Sequence, residues 1–161
     1  MYTSIEYKSR LKVRERFVEF LKVWLVIKPL QFCFKKYSEN QILLLQKQAP
    51  ETIGSDLAEM LIENKLTVIP RFEDHDLKHL ILGYGMTSME EIRMQAYLFG
   101  NGNRSLFCIL FLFSGSIFPE EWKSFYTAYQ KGKNGPSILH LKVTDCLSEP
   151  TAALIKQYRP D

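Results

Sequence analysis

His75 and His79 stand four residues apart with Asp76 beside the first, and Glu91 follows after eleven intervening residues. On one helix, side chains at i and i+4 lie about 40° apart around the axis, and a side chain at i+1 about 100° away. His75, Asp76 and His79 therefore share one side of a helix over that stretch. Two imidazoles and two carboxylates make a mixed nitrogen/oxygen donor set for a divalent cation. Zinc suits it best, manganese and iron(II) also fit, and magnesium, which prefers more oxygen and more water, stays open. Four protein ligands would close the site as a structural one. If one carboxylate stands behind the others, a position opens for water or substrate. The spacing leaves both cases open.

For those four groups to meet, the chain must reverse between His79 and Glu91. Gly83-Tyr84-Gly85 supplies the stop, because two glycines within three residues favour a turn. Thr87 and Ser88 each stand three residues before a glutamate, Glu90 and Glu91, and both pairs fit a capping box that starts a new helix. The pattern predicts helices over 72–82 and from about 88 to 99, folded as an α-hairpin with Glu91 level with His79.

Helical spacing accounts for most of the rest. Val13, Phe17, Phe20, Leu21, Trp24 and Leu25 recur as one apolar stripe, predicting an amphipathic helix from about Ile5 to Ile27 that stops at Pro29. Further helices are expected over 38–48, from a Ser55 cap onward, over 105–113, from Pro119 to about Gly132, and from Pro150 to Tyr158. The run from Leu106 to Phe113, extended to Ile117 and Phe118, is too short to cross a bilayer, which takes roughly 20 residues. It reads as a buried core helix or the lining of an apolar cavity. Ile138 to Val143 is the one stretch with strand-like alternation. The expected fold is all-α, a single-domain multi-helix bundle spanning 1–161.

Hydrophobic residues make up 46% of the chain and charged ones 24%, as in an ordinary globular protein with a real core. The net charge of +3 is uneven: residues 1–36 hold nine Lys/Arg against three Glu, a net of +6, on a mildly acidic remainder. That basic segment suggests contact with anionic lipid or an acidic partner, or simply a solvated face. Cys33, Cys108 and Cys146 are odd in number and widely spaced, which argues against a disulfide framework or a cysteine zinc site. Cys33 and Cys108 are expected to be small buried hydrophobes. The charged first 20 residues do not read as a secretory signal.

His-Asp-x-x-His followed after eleven residues by Glu resembles the signature of the coenzyme Q biosynthesis protein 4 family. The stretch His75-Asp76-Leu77-Lys78-His79-Leu80-Ile81-Leu82-Gly83-Tyr84-Gly85 looks like that family's most recognisable segment. Ala128 to Lys133 and Leu147 to Pro150 are similar to its later landmarks, so the likeness spans about 55–161. The resemblance implies an all-helical fold and a divalent metal at His75, Asp76, His79 and Glu91. It also implies a role in ubiquinone or other polyprenyl-quinone biosynthesis, acting on C1 of the precursor ring by oxidative decarboxylation or organising a multi-enzyme complex. Its partners would be a prenylated quinone precursor or isoprenoid lipid, other quinone-biosynthesis proteins, a membrane met peripherally, and a second copy of the chain. The expected location is the cytoplasm, peripherally on the inner face of the membrane, or the mitochondrial inner membrane in a eukaryote. Where the family carries an arginine in its last helix, this chain has Leu154-Ile155-Lys156-Gln157-Tyr158. If the protein is an enzyme, Glu90 is a candidate proton carrier.

Three other readings compete. One is a non-enzymatic prenyl-lipid-binding module with a structural metal. A second is a metal-dependent phosphohydrolase, which would draw further His and Asp ligands from distant segments, where the chain offers only His140 as a histidine. Nucleic-acid binding is not expected, because the basic residues are scattered over one amphipathic helix and form no reader motif.

Overall fold

A computed structural model of the protein describes residues 13–20, 24, 28–70 and 72–159. The expected all-α fold is what it shows, and no strand forms among the described residues. Residues 13–20 form a helix, α1. It is followed by α2 (Lys28–Leu45), α3 (Ile53–Glu63), α4 (Glu73–Leu82) and α5 (Ser88–Gly100). Then come α6 (Leu106–Ser114), α7 (Trp122–Asn134), α8 (Val143–Cys146) and α9 (Thr151–Tyr158), with two short 3-10 turns between α6 and α7.

The predicted Ile5–Ile27 helix and its end before Pro29 fall largely outside the described residues. Pro29 itself occupies the second position of α2, where its missing N–H costs nothing and its fixed φ is already helical. The segment expected at 38–48 is thus the back half of an 18-residue helix. Cys33, on the same helix, is exposed rather than buried. On α1 it is Val18 that is buried, while Val13, Phe17 and Phe20 of the expected core stripe face outward.

α3 starts at Ile53 rather than at a Ser55 cap, and buries Ile53, Leu57, Ala58 and Leu61 along one face. Ile138 to Val143 is not a strand, in part because a side chain takes its backbone donor: Ile138 N–H donates to Asn101 Oδ1 at 2.9 Å. Gly132 does not end α7, which runs on to Asn134. Instead it allows a close crossing, since a Cβ there would sit 1.9 Å from the Tyr97 carbonyl oxygen of α5, and one on Gly100 would sit 2.1 Å from that of Tyr129.

Two groups of helices result. α4 packs on α3, α8 and α9, whereas α5 packs on α7 and α6. Side chains close the seam between them. The rings of Tyr84 and Tyr97 lie 6.4 Å apart, those of Phe72 and Phe107 5.7 Å, and Leu77, Ile81, Ile92 and Phe118 share one continuous core. The seam runs between the two helices that carry the predicted ligands.

Candidate metal centre

α4 begins with Glu73, Asp74 and Asp76 in its first turn, at the positive end of its dipole. It ends at Gly83, whose φ of +74° is left-handed and whose N–H donates to the His79 carbonyl at 2.9 Å. Only glycine takes that conformation without strain. Arg159, just past the last helix, donates from Nε to the Ile81 carbonyl at 2.9 Å and so satisfies another orphan acceptor of α4. Nothing in the sequence pattern pointed to Arg159. Thr87 caps α5 by accepting from Glu90 N–H at 3.3 Å, as its place in the predicted capping box requires. Glu19 of α1 accepts a second bond there, from Ser88 N–H at 2.9 Å.

The turn between these helices brings three donor atoms together. His79 Nε2 lies 2.9 Å from Glu91 Oε2 and 3.3 Å from His75 Nε2, and His75 Nε2 lies 3.4 Å from the same Glu91 oxygen. Three donors around a tetrahedral zinc at 2.0–2.1 Å would stand about 3.3–3.4 Å apart. The observed triangle is close to that. His79 and Glu91 are buried, and His75 is the partly exposed corner. His75, His79 and Glu91 thus form a group that could hold a metal ion between α4 and α5.

Asp76 is not part of this close group. It follows His75 by about 100° around α4 and lines a partly open cavity of about 720 Å³ between α2, α3, α4 and α8. Burial pushes its carboxyl up to about 6, although the charges of His75 and His79 pull the other way. Glu91 responds oppositely. Burial would raise its carboxyl, but hydrogen bonds and charge from His75 and His79 hold it well below the usual carboxylate range. His79 is raised: burial works most strongly against its charged form, but the hydrogen bond and charge of Glu91, the Tyr84 carbonyl and the charge of Asp76 together outweigh it. Glu90, the candidate proton carrier, is instead ion-paired with Arg93, which also donates to Glu121 Oε2 at 2.7 Å.

Supporting contacts fix the donors. His79 Nδ1–H donates to the Tyr84 carbonyl at 3.0 Å, which turns Nε2 toward the shared point. Gln95 Nε2–H donates to Glu91 Oε1 at 2.8 Å and leaves Oε2 for the triangle. Gln95 sits one helical turn after Glu91, a spacing signal that a search confined to metal-binding residue types passes over. Cys108 is buried near the site, where burial lifts its thiol to about 11, and its sulfur is not among the three converging donor atoms. The donors present are nitrogen and oxygen only, as zinc, manganese or iron(II) accept.

Leu106 to Phe113 departs furthest from expectation. Of α6 only Cys108 is buried. Leu106 is 73% and Phe113 76% exposed, so the run is not a fully buried core helix, although Cys108 is buried and Phe111 and Leu112 pack against the core. Its inner face reaches the site, where the Phe107 ring lies edge-on to His75 at 5.8 Å. No family model matches the chain, and no curated protein does either.

Proposed function

We propose that this protein holds a divalent cation, zinc first, at His75, His79 and Glu91, and that it serves the biosynthesis of a polyprenyl quinone at a membrane. The converging triangle of His75 Nε2, His79 Nε2 and Glu91 Oε2 carries this reading. The quinone assignment rests on the resemblance of residues 75–91 to the coenzyme Q biosynthesis protein 4 family. Support comes from the cavity behind Asp76, whose walls include Leu57, Leu61, Val68, Val143 and Leu147. Its size lies in the range of small-molecule sites, and its apolar walls suit an isoprenoid or ring of a prenylated precursor.

Three protein donors leave a coordination position for water or a substrate oxygen, and a bound divalent ion would supply Lewis-acid polarisation there. The chain's own residues do the rest. His79 and Glu91 are held by the Tyr84 carbonyl and by Gln95, so the donor set is preorganised. Phe72 and Phe107 pack edge-on against His75 and limit water on that side. Asp76 stands between the donors and the cavity, placed to bind the polar end of a ligand or to hold a proton.

The test is metal analysis of purified protein beside His79→Ala, followed by a C1 decarboxylation assay on a prenylated hydroxybenzoate-type precursor with zinc, manganese or iron(II) restored. Bound metal with turnover supports the enzyme. Bound metal and precursor binding without turnover supports the organising role. Absence of metal from both proteins ends the reading.

A further inference from the structure

α6 presents an outward stripe of Leu106, Ile109, Leu110 and Phe113, continued by Ile117, and all five are exposed. The spacing is that of one helix face. Between Ser105 and Pro119 no residue is charged. The exposed ring of Trp122 borders the stripe, with its Nε1–H donating to the Gly115 carbonyl at 3.2 Å, and Tyr126 stands one turn further along α7. At the far end Arg14 of α1 donates to the Ile117 carbonyl at 2.8 Å, and exposed Val13 and Phe17 flank it on that helix. Such a contiguous apolar surface marks an interaction site.

The charges around it choose the occupant. Glu120 and Glu121, the acids of this border, are ion-paired with Arg14 and Arg93. Arg104 and Lys123 have no carboxylate partner among the described residues. Residues 104–133 hold four Lys/Arg against two Glu. A two-fold dimer through this face would set that positive border against itself. An anionic lipid surface would meet it with opposite charge, and amphipathic Trp and Tyr at the rim suit the headgroup level. No described helix is long and apolar enough to cross a bilayer, so the contact lies in the plane of the interface.

We propose that the outer face of α6, with Trp122 and Tyr126 at its edge, docks onto an anionic membrane surface. This gives the membrane contact of the proposed function a definite face. Phe107, on the inner side of the same helix, touches His75, so docking would set the metal site one helix thickness from the lipid, about 10 Å.

Flotation of the full chain with phosphatidylcholine vesicles, with and without phosphatidylglycerol, tests it. Wild type should float with the anionic vesicles, and Phe113→Glu and Leu110→Glu should each lose about tenfold or more of that binding while Leu110→Phe keeps it. Lys123→Glu should weaken binding to anionic vesicles alone. Metal content and circular dichroism, unchanged in these variants, separate loss of docking from loss of fold or of the metal site. In a Trp24→Phe background, vesicles should shift Trp122 emission to the blue, a readout on the otherwise native face. Wild type that neither floats nor shifts overturns the proposal. So does a wild-type dimer in solution that Phe113→Glu splits, which would give the face to a second copy.

Discussion

His79 donates through Nδ1 to the carbonyl of Tyr84, five residues later and already past the glycine stop. The chain therefore uses the turn itself to aim the His79 imidazole at His75 and Glu91: Gly83 lets the backbone double back, and the carbonyl it brings round sets the tautomer of the ring above it.

That arrangement predicts graded losses. His79→Ala removes a buried donor and should abolish measurable zinc binding by calorimetry. Gln95→Leu leaves the three donors in place but frees Glu91 to turn, and should weaken zinc by about 10–100-fold. Equal losses from both changes would mean that Gln95 is itself part of the donor set.

Asp76 separates two coordination schemes. As a direct ligand it should cost as much zinc on Asp76→Asn as His79→Ala does. From its observed place outside the triangle, the expected loss is under about tenfold. In the metal-free protein the same change should stabilise at neutral pH, because the wild-type carboxyl is raised from 3.8 to about 6 by burial. That shift corresponds to an upper bound of about 3 kcal/mol. Urea unfolding at pH 5 and pH 7.5 measures the difference.

The same groups fix a pH dependence. With folded pKa values above their unfolded ones, Asp76 and His79 give stability that is fully present below the unfolded values. It is lost as pH rises through about 6 for Asp76, and through a range above 6.5 for His79. Glu91 works the other way, its contribution being lost as pH falls below its ordinary 4.5. Metal-free protein should thus be most stable in mild acid. Metal competes with protons at His79, so zinc binding should strengthen as pH rises and release protons, which calorimetry in buffers of different ionisation enthalpy detects.

Gly132→Ala should destabilise by about 1–3 kcal/mol or more, since the new methyl meets backbone rather than a side chain that can swing away. Thermal unfolding checks it, and an unchanged midpoint would mean that α5 and α7 do not cross this closely.

How legible the molecule was from sequence depended on how local each signal is. The hairpin of the candidate site was readable because helix spacing, a glycine stop and a capping box are short-range features, and α4 and α5 form within a residue or so of where they were expected. Asp76 shares a side of the helix with His75 and His79 but lies outside the close triangle, because a residue 100° further around the axis need not reach the same point. α6 was misread for another reason: its sequence is apolar all round, and a pattern without a polar face cannot say which face is covered. The start of α2 at Lys28 was missed because proline serves both as a stop and as a start, and only the residues after it decide. Asn101 was read simply as part of a turn. Its amide in fact donates to the carbonyls of Gly132 and Pro136 at 2.9 and 3.0 Å and accepts from Ile138, contacts set by packing between distant segments.

The seam between the two helix groups would give a cation held at the triangle a mechanical part as well as a chemical one. Two of its donors ride on one group and the third on the other, so loading the site would rivet the halves while emptying it would let them breathe. Amide exchange in α4 and α5 should therefore slow with zinc well beyond the slowing in α3 or α7, even where global stability is matched. With a metal bound, a protein built this way would signal occupancy along its whole midline, and a neighbour resting across that midline would sense it without touching the ion.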